Sequence, residues 1–190
     1  MALPHIQNSQ AGMNKQEPLY KALFEVEFTL PAGLQQEFNA EVAVLTEQVQ
    51  TVSGLNINKG VERTTQKFMG TTRSYLSSKV DDTSFDITVS FALNLRNGVD
   101  NYVYKLFKAW KNLGYNLETG ETALKKDYTA DYMRIRVGNR AGDVYREILM
   151  KDIFVFGEIT GLEEYDYSAG GDLQQLEVHF SSDWAQESTI

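Results

Sequence analysis

The sequence of 190 residues contains no cysteine and only two histidines, His5 and His179. The lack of cysteine excludes disulfides, thiol catalysis, iron–sulfur clusters and thiolate zinc sites, and two histidines are too few for a histidine-rich metal cluster. No apolar run approaches the roughly 18 residues of a membrane-spanning helix. A Gly-rich phosphate loop, a dinucleotide fingerprint and a recognisable nucleophile motif are missing as well. We therefore expect no catalytic residue, no metal and no cofactor, and no contact with a membrane.

The residues that are present are typical of a globular protein rich in strands. Hydrophobic residues make up 42% of the chain and charged residues 23%, so a chain of this length can bury its own core. Ten tyrosines, ten phenylalanines and only three prolines favour strands over loops. The formal net charge of -8 argues against attraction of the whole protein to DNA or to an anionic membrane.

Apolar and polar residues alternate in several segments, which is the period of a half-buried strand. The pattern is clearest in residues 23–30 (LFEVEFTL) and 85–93 (FDITVSFAL). Residues 40–57, 132–137, 144–156 and 173–180 are predicted to form further strands. In the last of these, His179 is interpreted as a solvent-side strand residue.

A helical period occurs in one place, after the turn signal Asn97-Gly98. The apolar positions are spaced for one face of a helix that ends at Gly114, and they are Val99, Val103, Leu106, Trp110 and Leu113. We predict a mainly β fold with one packed α-helix, a curled β-sandwich or barrel. Residues 1–18 are predicted to be an N-terminal arm or flexible terminus, and residues 19–190 a single domain.

Residues 58–84 interrupt this pattern, because they show no sustained period, and the part from Lys59 to Lys79 is locally basic. Five basic residues stand there against Glu62, namely Lys59, Arg63, Lys67, Arg73 and Lys79. From Asp152 to the end, nine acidic residues occur and no lysine or arginine. The two regions are either independent solvated surfaces or complementary surfaces of a self-associating protein, in which a long hairpin arm meets the acidic surface of another copy. Direct binding of nucleic acid by the arm is a weaker alternative, since its only aromatic residues are Phe68 and Tyr75.

Three stretches resemble the tail tube proteins of contractile-tailed bacteriophages, relatives of the Hcp tube of type VI secretion systems. Residues 19–30 (LYKALFEVEFTL) resemble the opening strand of that family, and residues 51–57 (TVSGLNI) the end of its second strand. Residues 144–184 are similar to its C-terminal block, which ends here in Asp183-Trp184. Residues 113–127 match nothing in the family.

The resemblance implies a structural virion protein whose hexameric rings stack into a tail tube that conducts the genome into the host. The implied partners are other copies of the chain, the tail sheath protein, and the baseplate and tail terminator proteins, with genomic DNA passing through the lumen without specific binding. The implied location is the virion tail, assembled in the host cytoplasm. The arm at residues 58–84 would contact a neighbouring subunit. The residues implied to face an acidic lumen are Asp86, Thr88, Ser90, Glu47 and Gln50.

Other assignments stay open at this point. A baseplate or tube-capping paralogue would share the fold, and so would the tube subunit of a bacterial contractile injection system. A protein of another class, a monomeric binding module that uses the basic arm to hold an acidic partner, also fits the charge pattern.

Overall fold

A computed structural model describes residues 23–57, 60–80, 84–95, 98–162 and 174–189. The predicted N-terminal arm at residues 1–18 lies outside the described residues, and so does Lys59. Within the described residues, none of the helices has the length and apolar content needed to cross a membrane.

The described chain forms nine strands and three helices. The strands are β1 (Phe24–Phe28), β2 (Val49–Ser53), β3 (Val61–Phe68), β4 (Thr71–Val80), β5 (Phe85–Ala92), β6 (Ala130–Gly138), β7 (Val144–Thr160), β8 (Gln175–Ser182) and β9 (Trp184–Thr189). The helices are α1 (Ala32–Gln48), α2 (Tyr102–Gly114) and α3 (Lys125–Tyr128).

Seven strands form one continuous antiparallel sheet, in the order β1-β6-β7-β8-β5-β2, with β9 pairing on β7. The long strand β7 belongs to two parts of it. Its first half pairs with β6 and β9, and its second half, from Phe154 onward, pairs with β8. Asp152 adopts a positive φ of 52° between the two halves. We call strands β1, β6, β9 and the first half of β7 sheet A, and strands β8, β5, β2 and the second half of β7 sheet B.

The core lies between the apolar faces of the sheets and the two long helices. Helix α2 begins at the cap Asn101, whose side chain accepts a hydrogen bond from the Tyr104 backbone nitrogen. The aromatic rings at its centre are fully buried, and Phe107 lies 4.8 Å from the Phe91 ring of β5. The buried apolar residues of α2 are Tyr102, Val103, Leu106, Phe107 and Trp110.

The mainly β fold with a packed helix and a long hairpin arm, predicted from the sequence, is confirmed. The strand predicted at residues 85–93 is β5, with Ile87, Val89 and Phe91 buried as the alternation requires. The sheet does not close on itself within the described chain.

Two details of the prediction are wrong. Residues 40–48 are not a strand but the second half of α1, and only residues 49–53 of that predicted segment are a strand. The helix forms because Leu34, Phe38 and Leu45 bury one face of it against the core. Val99 lies before α2 and is 84% exposed, so it is not part of the apolar stripe.

Candidate assembly surfaces

Strands β3 and β4 form a hairpin that pairs with no other strand of the described chain. The turn at Met69 and Gly70 uses positive φ angles of 43° and 81°. The side chains of residues 63–76 are all exposed, including apolar residues that a sheet normally buries. A two-stranded hairpin without a covering surface is only marginally stable in water. Within the described chain, the hairpin is therefore not part of the core.

The hairpin carries most of the basic residues predicted for the arm. Arg63, Lys67 and Arg73 lie on β3 and β4 with exposed side chains, and Lys79 lies in β4. Four basic residues against Glu62 give the hairpin a formal charge of +3 in a chain of -8, which leaves -11 for the remainder. The complementarity of a basic arm and an acidic surface of another copy stays a prediction.

One face of sheet B is polar, and it is the face turned away from the core. Asp86 and Thr88 of β5 lie there, opposite Ser181 and His179 of β8. Thr88 Oγ1 is 2.9 Å from His179 Nδ1, so the histidine is a hydrogen-bonded strand residue on this face, as the sequence predicts.

The five residues predicted to face the lumen differ in exposure, and not all of them lie on this face. Asp86 is exposed and Thr88 partly exposed, whereas Ser90 shares their face but is only 4% exposed. Gln50 is exposed in β2, at the irregularity between Val49 and Thr51. Glu47 is exposed on helix α1 rather than on a strand.

Sheet B ends in two strands that pair on one side only within the described chain. These are β2, which pairs with β5, and the second half of β7, which pairs with β8. All three pairings across sheet B are antiparallel, so the two end strands run in opposite directions. A free edge offers backbone N–H and C=O groups to another strand.

The solvent face of sheet A carries a network of ion pairs across three strands. Glu25 and Glu27 alternate along β1, facing the two arginines of β6, and Glu147 lies on β7. Arg136 Nε is 3.3 Å from Glu147 Oε2, and Arg134 Nη1 is 3.4 Å from Glu27 Oε2. Alternating charges are visible in the sequences of β1 and β6, but the network was not predicted from them because it depends on how the strands pair.

The network shifts the pKa of one of its members and of a neighbouring tyrosine. The hydroxyl of Tyr132 donates a 2.8 Å hydrogen bond to Glu27 Oε1, and this bond, followed by burial, raises the pKa of Tyr132. Burial lowers the pKa of Arg136, but its hydrogen bonds to Glu147 and Glu25, together with the charges of Glu25 and Glu27, outweigh burial and raise this pKa.

A groove of about 450 Å³ lies between α1 and α2, where Phe38 and Tyr102 form an apolar floor beside the Lys105–Asp100 ion pair. Across the described ranges, no three histidine, aspartate or glutamate side chains come together in a group that could hold a metal ion.

Several solved structures have a similar fold. A chain of the tube-terminating cap of the anti-feeding prophage superposes with a TM-score of 0.58 at 16% identity, covering 92% of this chain and 93% of that one. A chain of the sheath–tube complex of PVC, an extracellular contractile injection system, in its extended state gives a TM-score of 0.58 at 14% identity, covering 95% and 97%. A chain of the PVC sheath/tube terminator gives 0.55 at 14% identity, covering 92% and 99%.

No protein-family model and no curated protein matches the sequence. The structural similarity extends over nearly the whole chain and nearly the whole of each neighbour. The chain therefore has the fold of the tube and cap proteins of contractile injection systems, and the tail-tube fold predicted from the sequence is confirmed.

Proposed function

We propose that this protein is a structural subunit of a contractile tail, in which hexameric rings of the chain stack into a hollow tube. One observation carries the proposal. Sheet B has one apolar face, one polar face and two end strands that pair on one side only within the described chain and run in opposite directions. Such a sheet can continue from copy to copy around a ring with every new pairing antiparallel.

Ring closure gives the polar face of sheet B a physical role. At about 4.8 Å between strands, six copies of four strands give a circumference of about 115 Å and a barrel roughly 37 Å across before strand tilt widens it. The apolar face must stay against the helices, so the polar face lines the channel. Closure also removes the exposed edges, which would otherwise promote uncontrolled aggregation.

A channel lined in this way guides DNA without binding it. Asp86 and Glu177 are exposed carboxylates on the strands that would line it, and neither β5 nor β8 contains a lysine or arginine. Basic contacts to phosphate would be favourable and would add up along a tube, whereas carboxylates repel the backbone within the roughly 8 Å Debye length of physiological salt. The lumen assignment of Asp86, Thr88 and Ser90 belongs to this proposal, and Gln50 at the edge of the face is a secondary member. Glu47 lies on helix α1, which packs on the apolar face, so the proposed lumen does not include it.

The hairpin, with Arg63, Lys67, Arg73 and Lys79, reaches a neighbouring copy in this arrangement. The remaining partners are a tail sheath protein, a baseplate and a tail terminator, and the assembly is a virion tail built in the host cytoplasm. The sheath–tube, terminator and cap structures that share the fold support a role of this kind. The proposal includes no catalytic activity.

Two alternatives stay within the same fold. The cap structure superposes as well as the chain from the sheath–tube complex, so a capping or baseplate subunit is the second candidate. A tube subunit of a bacterial contractile injection system is the third. A monomeric binding module that uses the exposed basic hairpin is the candidate from another class.

Negative-stain electron microscopy of the purified protein, combined with its mass from light scattering, tests the proposal. Hollow stacks of six-membered rings are the expected result. Hydrogen exchange should then be slower in the assembled protein than in the monomer at β2 and at residues 154–160, and unchanged at β6, which is already paired on both sides. A capping subunit would form single rings that do not stack. A folded monomer at every concentration would contradict the tube and leave the binding module.

A further inference from the structure

The hairpin formed by β3 and β4 has two different faces, and each carries both apolar and basic side chains. Residues directly opposite each other across an antiparallel pair share a face. Arg63 lies opposite Leu76, and Lys67 lies four residues further along β3 on the same side. We call the face with these three residues the leucine face.

The other face of the hairpin carries aromatic residues. Tyr75 lies opposite Thr64, Arg73 opposite Gln66, and Phe68 opposite Thr71. Because alternate residues of a strand point to the same side, Phe68, Arg73 and Tyr75 share this face, which we call the tyrosine face.

Within the part of the chain that the structure describes, both faces are exposed. Leu76 is 81% exposed on the leucine face, while Phe68 and Tyr75 are 61% and 49% exposed on the tyrosine face. A hairpin that lay flat on one surface would need apolar residues on one side and polar residues on the other. The distribution seen here is typical of a hairpin that is covered from both sides.

Charge and shape indicate what covers it. The hairpin is formally +3 and the rest of the same chain -11, so another copy of the chain is an electrostatically complementary partner. Described grooves of about 450, 290 and 270 Å³ are too small to enclose a hairpin with strands of eight and ten residues. None of these grooves on a single neighbouring copy could therefore enclose the hairpin and cover both of its faces.

We propose that two different copies of this chain cover the hairpin, one on the leucine face and one on the tyrosine face. The inference rests on the proposed function, because it requires the chain to assemble with itself. It adds that each arm joins three subunits: its own and two others. In a tube of stacked rings, contact with two neighbours through one arm would connect lateral association to stacking.

Because the chain contains no cysteine, a single introduced cysteine allows each face to be labelled separately. The variants Leu76→Cys and Tyr75→Cys change adjacent, exposed residues that point to opposite faces, and each introduces the only thiol of the chain. Each variant is labelled with a maleimide photo-crosslinker and mixed with parent protein that carries no cross-linker and was grown in nitrogen-15. The mixture is then assembled and irradiated. Mass spectrometry then identifies peptides cross-linked between copies. The cysteine-free parent, treated in the same way, is the control.

The expected result is two sets of intermolecular cross-links that map to two different surfaces of the body. Cross-links from both positions to one shared surface would overturn the inference, and so would an assembled protein in which one position yields none. A parent protein that stays monomeric would overturn the proposed function together with the inference. An assembling parent with one silent face would overturn the inference alone.

Assembly measurements give an independent test. Leu76→Thr and Tyr75→Thr keep a strand-forming residue while removing most of the apolar contact, and Thr72→Ser is the matched exposed control. Each of the two variants should raise the concentration needed for assembly at least about tenfold, as expected for losing one buried large apolar side chain. The two should also accumulate different species in sedimentation velocity, since they weaken contacts with different neighbours. Identical arrested species, or one variant that behaves like Thr72→Ser, would contradict the proposal.

Discussion

The Tyr132 hydroxyl donates a 2.8 Å hydrogen bond to Glu27 Oε1, linking β6 to β1 on the solvent face of sheet A. Strand β1 pairs only with β6 in the described chain, so this bond helps to hold an edge strand in register. The same carboxylate is 3.4 Å from Arg134 Nη1, which places the tyrosine within an ion-pair network.

The first prediction concerns the pH dependence of this contact. The hydrogen bond to Glu27 raises the pKa of Tyr132 above its ordinary value of 10.0, so ionising the tyrosine costs more in the folded than in the unfolded protein. Its contribution is complete below pH 10 and is lost as the pH rises through the folded-state pKa. Tyr132→Phe should lower the free energy of unfolding by about 1 kcal/mol at pH 7. Urea unfolding should show this difference shrinking above pH 10.

Tyr115→Phe is the control for that experiment, because Tyr115 is exposed on the loop after α2. It should unfold like the parent at pH 7. A difference between Tyr132→Phe and the parent that grows with alkaline pH would contradict the assignment.

The second prediction concerns Gly161, where β7 ends. Its φ is +106°, and a Cβ built there would lie 2.0 Å from the backbone oxygen of Gln175. Gly161→Ala must therefore shift the start of β8, and it should cost at least about 2 kcal/mol of unfolding free energy. Gly120→Ala is the matched control, since its φ of +72° is also unfavourable but nothing lies within 4 Å of the added methyl. Gly120→Ala should lower the free energy of unfolding by about 1 kcal/mol. Equal losses of stability for the two variants in thermal unfolding would contradict the prediction, because they would show that the close contact at Gly161 relaxes at little cost.

The third prediction uses two adjacent residues on opposite faces of β5. Asp86 is exposed on the polar face, whereas Ile87 is 3% exposed in the core. Asp86→Lys should change the unfolding free energy by no more than about 0.5 kcal/mol and leave assembly intact. Ile87→Lys should prevent folding, because it buries a charge without a partner.

If the polar face lines a channel, Asp86→Lys should also change how assembled tubes treat DNA. Parent tubes should not retain duplex DNA, whereas the variant should retain it in a way that weakens steeply with added salt. If tubes of the variant retained no more DNA than tubes of the parent, Asp86 would lie away from the lumen. If the variant did not assemble, Asp86 would lie in a contact between subunits.

The fourth prediction separates the hairpin from the body. Replacing residues 58–84 with a short Gly-Ser linker should leave a folded monomer, because β3 and β4 pair only with each other in the described chain and the flanking strands β2 and β5 already pair. The melting temperature should stay within a few degrees of that of the parent monomer, and light scattering should show no assembly. A deletion product without cooperative unfolding would show that the hairpin is part of the core.

The sequence predicted those parts of the fold that follow from local periodicity. Strict alternation identified β1 and β5, and the apolar stripe of α2 identified the helix that fills the core. Helix α1 was not predicted, because the β-branched residues Val42 and Val44 favour a strand. Its buried face at Leu34, Phe38 and Leu45 is recognisable only once the sheet is present. Tertiary packing decided that segment.

Pairing between distant strands was the part that the sequence could not supply. Alternating glutamates in β1 and alternating arginines in β6 are each visible, yet their meeting depends on a register between Glu27 and Arg134, more than a hundred residues apart. The placement of Ser90 likewise depends on its neighbours, because alternation assigns it to the polar face but cannot show that it is buried there.

The position of the hairpin in the chain has a mechanical consequence. It is inserted between β2 and β5, which pair with each other, and β5 pairs in turn with β8 at eight successive positions from Phe85 to Ala92. A force applied to the hairpin passes through its two covalent connections into β2 and β5, which are adjacent strands of sheet B. Because β5 also pairs with β8, the hydrogen bonds between β5 and β8 carry part of this force. In the proposed tail, tension on the hairpin would thus pass into the backbone hydrogen bonds of the sheet, and the subunit would unfold only after several of these bonds had broken together.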